Sequence, residues 1–136
     1  MGWNDQLPRE RKKVLDLNQA AGNYPLFQAV GDVLIEGLVI MMPNVAAGGA
    51  LTSIAIRTNT ATPQYFLTAA DGAVANLTAL AQLAWASYGA TVILLDANQI
   101  WLILAGGPTG VGYLTTTVVK YRPLTPGAYL IIDGMD

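Results

Sequence analysis

Leu114-Thr115-Thr116-Thr117-Val118-Val119-Lys120-Tyr121 decides the fold class of this chain. Its side chains alternate between two sides, with Leu114, Thr116, Val118 and Lys120 opposing Thr115, Thr117, Val119 and Tyr121. A period of two is the repeat of a β-strand, and β-branched residues suit a pleated surface. Both sides are half apolar, as expected when a sheet packs inward and also meets a neighbour outward. Leu51 to Thr58 repeats the pattern, with Leu51, Ser53, Ala55 and Arg57 opposing Thr52, Ile54, Ile56 and Thr58.

Outward from these two segments the same signals recur. Short runs rich in Val, Ile, Leu, Thr and aromatics predict strands over Val14–Leu17, Tyr24–Ala29, Asp32–Met42, Ala50–Asn59, Gln64–Thr68, Leu83–Ala86, Thr91–Leu95, Gln99–Leu104 and Gly112–Tyr121. Gly22-Asn23, Gly31-Asp32, Gly48-Gly49, Asp71-Gly72 and Gly106-Gly107-Pro108 supply the turn chemistry between them. Gly72 to Trp85 is the segment that departs, because Leu77, Leu80 and Ala84 stand at a spacing that permits a short helix. The expectation is an all-β domain, a β-sandwich or a jelly-roll-like β-barrel, with extended N- and C-terminal arms. Residues 1–13 form a basic N-terminal arm, 14–122 the β domain, and 123–136 a tail punctuated by Pro123, Pro126, Gly127 and Gly134.

The charge is unusually thin. Only 12% of the 136 residues are charged, while 53% are apolar; roughly 25% charged is ordinary. A monomer of this size exposes roughly 6,800 Å², and seven basic and nine acidic side chains cover that surface sparsely. Monomers seldom expose large contiguous apolar patches, so covering by partners, as a homo-oligomer or larger assembly, is predicted. A membrane is not the expected cover. Glu36 and Pro43 interrupt the apolar stretch Val33–Val45, and Asp96, Asn98 and Gln99 interrupt the one beginning at Ala90. The N-terminus carries basic residues with no apolar run behind them, unlike a secretory signal.

Chemistry finds little to work with. Histidine and cysteine are absent, which removes the commonest general base and the thiolate nucleophile and ligand. Ser53 and Ser87 lack a nucleophile-elbow context. Asp32 and Glu36 would share one face of a strand, so a carboxylate pair is geometrically conceivable, but Asp32 follows Gly31 where turn residues belong. The glycine-rich Gly106–Gly110 lacks the lysine of a phosphate loop and reads as a hairpin. No enzyme and no cofactor is expected. The acidic balance of the body argues against specific nucleic-acid binding. Arg9, Arg11, Lys12 and Lys13 hold four of the seven positive charges and, with Trp3, are the candidate partner-binding residues.

Asp16-Leu-Asn-Gln-Ala-Ala-Gly-Asn-Tyr-Pro-Leu-Phe, then Gly31-Asp-Val-Leu-Ile-Glu-Gly-Leu-Val-Ile, Ala70-Asp-Gly-Ala-Val-Ala-Asn-Leu-Thr and Val118-Val-Lys-Tyr-Arg-Pro-Leu follow one another along the chain. This order resembles the small β-rich proteins that decorate or cement the capsids of tailed bacteriophages. The resemblance spans roughly residues 14–124 and rests on strand and turn patterns, with no reactive group carried over. It implies a virion protein on the capsid surface that oligomerises, binds the major capsid protein and clamps neighbouring subunits with its two terminal segments. A tail, neck or fibre-associated protein is the nearest alternative. A small glycan- or ligand-binding module is the other, for which Trp85, Tyr88, Trp101 and Tyr113 are the candidate aromatics.

Overall fold

The computed structural model describes residues 9–86 and 91–132. Within them the chain forms ten strands: β1 (Arg9–Asp16), β2 (Gly22–Val30), β3 (Val33–Met41), β4 (Ser53–Thr58), β5 (Tyr65–Leu67), β6 (Gln82–Ala86), β7 (Val92–Leu94), β8 (Gln99–Ala105), β9 (Leu114–Pro123) and β10 (Tyr129–Ile132). They make two antiparallel sheets. The first runs β1-β9-β3-β6, with β7 also paired to β3, and the second runs β10-β2-β8-β4-β5. The chain passes from one sheet to the other at nearly every connection. With β7 and β10 set aside, strand order and crossings are those of an eight-stranded jelly roll, two sheets wrapped from paired Greek keys. The molecule is therefore a β-sandwich.

Alternation explains which side of each strand is buried. Thr115, Thr117, Val119 and Tyr121 of β9 face inward, beside Ile35, Leu38 and Ile40 of β3. Opposite them lie Leu26 and Phe27 of β2, Ile54 and Ile56 of β4, and Ile100, Leu102 and Leu104 of β8. Each large side chain fully buried here contributes about 1.5–3 kcal/mol. The open side of the sandwich is closed by Phe66 of β5 and Trp85 of β6, whose rings meet edge to face at 4.9 Å and 86°. Such a pair adds about 0.5–1.5 kcal/mol beyond burial.

Three expectations change. Arg9 to Lys13, read as part of an arm, form the first half of β1 and pair with β9 from Arg9↔Tyr121 onward. The run is hydrophilic because β1 is an edge strand, where charge discourages further pairing. Lys13 turns inward, and its Nζ donates to the Pro25 carbonyl at 3.2 Å. The boundary drawn at residues 13 and 14 thus falls inside a strand, and residues 1–8, with Trp3, lie outside the described residues. In the C-terminal segment, Tyr129–Ile132 pairs with β2 rather than extending as a tail. Pro and Gly on either side of this short run disguised it. Finally, the helix-like segment holds only a 3-10 turn, Val74–Asn76, before β6.

Candidate interaction surface

Antiparallel wrapping gathers the loops at two ends. At one end lie the β1–β2, β3–β4, β5–β6 and β8–β9 loops, tied into a single layer. Asp16 Oδ1 accepts the backbone N–H of Asn18 at 2.9 Å and of Tyr113 at 2.9 Å. Asn18 Oδ1 accepts the Gly110 N–H at 3.0 Å, and Ala47 N–H donates to the Leu77 carbonyl at 2.9 Å. Tyr113 is buried and its hydroxyl donates to the Leu77 carbonyl at 3.2 Å. Burial raises the Tyr113 pKa above its ordinary value of 10.0.

From this layer apolar side chains project into solvent: Val45, Leu80 and Val111, at 50%, 63% and 65% exposure, with Val14 and Leu114 beside them. Leu80 has a left-handed backbone, φ 60°. A bulky residue in that region is rare outside special sites. The opposite end carries its own exposed apolar set, Ile93, Leu95, Leu124 and Tyr129. Fixed loops that hold apolar tips outward have the form of a protein-docking surface.

The outer sheet faces differ from one another. On the second sheet, Trp101 lies under the Arg57 guanidinium, 5.4 Å from the ring centre, and its Nε1 donates to Gln99 Oε1 at 2.7 Å. Gln99 Nε2 in turn donates to Gln28 Oε1 at 3.2 Å. On the first sheet, Val39, Val118, Gly37, Ala84 and Ala86 line a shallow depression of about 310 Å³ rimmed by Glu10, Glu36 and Lys120. A larger open cleft of about 560 Å³ lies between β5 and β6, lined by Phe66, Asp71, Asn76 and Gln82 among others.

The sequence candidates are scattered by this geometry. Arg11 and Lys12 are exposed on β1, whereas Lys13 points toward β2. Trp85 faces inward onto Phe66 and Tyr113 is buried, so of the four aromatics considered for a ligand platform only Trp101 presents a ring on a described outer face. Tyr88 and Ser87 lie outside the described residues. Asp32 and Glu36 do not form a pair. A bulge between Ile35 and Gly37 breaks the alternation, Glu36 meets Arg122 at 3.4 Å, and Asp32 serves a turn. Among the described residues no group of three or more Asp or Glu could hold a metal ion. Sequence reasoning passed over Val45, Leu80 and Val111. For Val45 and Val111 a signal was available, a lone apolar residue beside Pro43-Asn44 or between Gly110 and Gly112, but such residues read equally well as loop ends of the core. Leu80, between Ala79 and Ala81, carries no such signal.

No protein-family model matches the chain. No curated protein matches it. Among solved structures, the virus-like particle of extra small virus from the giant freshwater prawn Macrobrachium rosenbergii is similar over 87% of this chain and 81% of that one, at 11% identity and a TM-score of 0.34. The VP2 subviral particle of infectious bursal disease virus is similar over 90% of this chain and 39% of that one, at 11% identity and a TM-score of 0.32. The Gx strain of the same virus gives 13% identity, 90% and 38% coverage, and a TM-score of 0.25. Likenesses this distant assign neither a family nor a role.

Proposed function

We propose that the protein is a non-enzymatic structural component of a virion that docks on the capsid surface and cements neighbouring capsid subunits, in the manner of a tailed-phage decoration protein. The observation that carries this reading is the placement of exposed apolar side chains at both ends of the jelly roll, on strand ends and on loops such as those of Val45, Leu80 and Leu124 that backbone hydrogen bonds fix. A module of this kind gains binding energy from area and shape, and it stabilises a shell by binding only the assembled lattice. Jelly rolls also occur in lectins and cupins, so the reading rests on the exposed ends and not on the fold. The histidine cluster of a metal-binding cupin cannot be built from a chain without histidine. In this proposal the loop ends carry most of the contact to the major capsid protein. Arg11 and Lys12 add charge along the β1 edge, and Trp3 supplies an indole for a pocket on the partner.

A second reading follows from the same surfaces. Two apolar ends on one module also suit side-by-side contact between copies, so the chain could build a shell itself. Cosedimentation with expanded phage capsids lacking their own decoration protein, alongside electron microscopy of the protein alone, tests both. Saturable binding that weakens with Leu80→Glu and Val111→Glu, and with removal of residues 1–8, is expected for a cement. Closed particles from the protein alone would favour the shell. Neither particles nor binding would overturn the virion proposal.

A further inference from the structure

The register of the first sheet sets its outer face out in rows. Glu10, Lys120, Gly37 and Ala86 lie side by side across β1, β9, β3 and β6. The next row is Lys12, Val118, Val39 and Ala84, and the one beyond it Val14, Thr116, Met41 and Gln82. On the other side of the Glu10 row, Arg122 and Leu34 continue onto Ile93 of β7. Val118, Val39, Gly37, Ala84 and Ala86 form the apolar part of the face, while β1 and β9 carry charge, Glu10 beside Lys120 in one row, Lys12 in the next and Arg122 paired with Glu36.

Gly37 is the telling position. A Cβ placed there would meet only the Trp85 carbonyl oxygen, at 3.6 Å, which is ordinary contact, and its φ lies outside the left-handed region. The fold itself therefore admits a side chain at 37. Its absence deepens the depression beside Val39, as a glycine within a strand does where another surface comes close.

We propose that this face is a two-fold contact with a second copy of the chain, in which Lys12 of each copy meets Glu10 of the other and Val39 seats over the Gly37 notch. An axis in the plane of the contact, crossing the strands between the Lys12 and Glu10 rows, exchanges those rows. It sets Ala84 against Ala86, Met41 against Leu34, and Val118 against Lys120 of the other copy, where Lys120 keeps Glu10 as its neighbour in the row. A two-fold contact must be self-complementary, and the alternating charges of β1 satisfy that requirement. A wholly apolar partner would offer no charge to Lys12 and would desolvate Glu10 and Lys120, which is costly, whereas a second copy supplies a carboxylate opposite each Lys12. Four strands at about 4.8 Å spacing and about eight residues at 3.4 Å give a face about 19 Å by 27 Å. With side-chain relief this approaches the roughly 800 Å² per partner of a standard interface. The proposal rests on the assembly reading for its purpose and names the partner for this one face.

Sedimentation equilibrium of the full chain tests it. A dimer is expected, weakened about tenfold or more by Val39→Glu. Lys12→Glu and Glu10→Lys should each weaken it, and the combined exchange should restore it to within about threefold, which also shows that the single variants fold. Gln28→Glu, on the second sheet, should leave the dimer intact. A chain that stays monomeric at about 100 μM, a dimer indifferent to Val39→Glu, or an exchange variant no better than its parents would overturn the two-fold contact. The capsid assay separates this inference from the virion proposal. A dimer that ignores capsids overturns the virion proposal alone, and a capsid-binding monomer overturns the two-fold contact alone.

Discussion

Asp32 and Asp96 hold each other's turns. Asp32 Oδ1 accepts the backbone N–H of Asp96 at 3.0 Å, and Asp96 Oδ1 accepts that of Gly31 at 2.8 Å. The β2–β3 and β7–β8 turns are thereby locked together at one end of the sandwich, while Leu124 N–H donates to the Asp32 carbonyl at 2.9 Å.

Removing either carboxylate should loosen that end. Asp96→Ala deprives the Gly31 N–H of its acceptor, and a cap-like loss of about 1 kcal/mol is expected. Asp96→Asn keeps an acceptor oxygen and should cost clearly less. Urea midpoints of the two variants, at unchanged slope, provide the comparison, and equal losses would argue against the hydrogen bond as the cause.

Thr115 and Thr117 are both fully buried on β9, yet they should respond oppositely to the same substitution. Thr115 Oγ1 donates to the Leu15 carbonyl at 2.9 Å, whereas Thr117 Oγ1 has no hydrogen-bond partner among the described residues. Thr115→Val should cost about 1 kcal/mol. Thr117→Val exchanges an unsatisfied hydroxyl for a methyl of similar shape and should stabilise by about 1 kcal/mol or more. Thermal or urea unfolding of the pair reads the sign directly.

Much of this architecture was legible because period-two alternation is a local signal. Leu114–Tyr121 and Leu51–Thr58 needed no knowledge of their neighbours to be read as strands. What escaped was set by distant partners. Arg9 to Lys13 are hydrophilic and look like an arm, and only pairing with β9 makes them a strand. Tyr129–Ile132 is too short to show alternation and is held by β2. The turn role of Asp32 was legible beside Gly31, whereas the bulge that leaves Glu36 against Arg122 carries no local signal. The interaction surface was legible as a shortage of charge, without an address. Which apolar residues stay outside depends on where the loops converge.

Tyr113 gives stability a dependence on alkaline pH. Burial raises its pKa in the folded state above 10.0, so the unfolded chain releases this proton first. Its contribution is fully present below about pH 10 and is lost as pH rises through the folded value. Tyr113→Phe forfeits the hydrogen bond to the Leu77 carbonyl and should cost about 1 kcal/mol at neutral pH. Above pH 10 the variant should lose stability less steeply than the parent. Identical slopes would mean that the phenol ionises alike in both states.

Leu80 combines two costs that a monomer has no reason to keep. Its φ of 60° places a branched side chain in the left-handed region, and that side chain is 63% exposed. Left-handed strain for a non-glycine residue is of order 1–3 kcal/mol, and Asn tolerates this region better than Leu. Leu80→Asn should therefore stabilise the isolated chain by about 0.5–1 kcal/mol in urea. In the proposed assembly the same substitution removes an apolar tip from the docking end, so capsid binding or particle formation should weaken by about tenfold. The two measurements move in opposite directions only if Leu80 is retained for a partner. A variant that is more stable and assembles as well as the parent would place the contact elsewhere. A variant that is less stable would mean that Leu80 serves the β5–β6 loop itself.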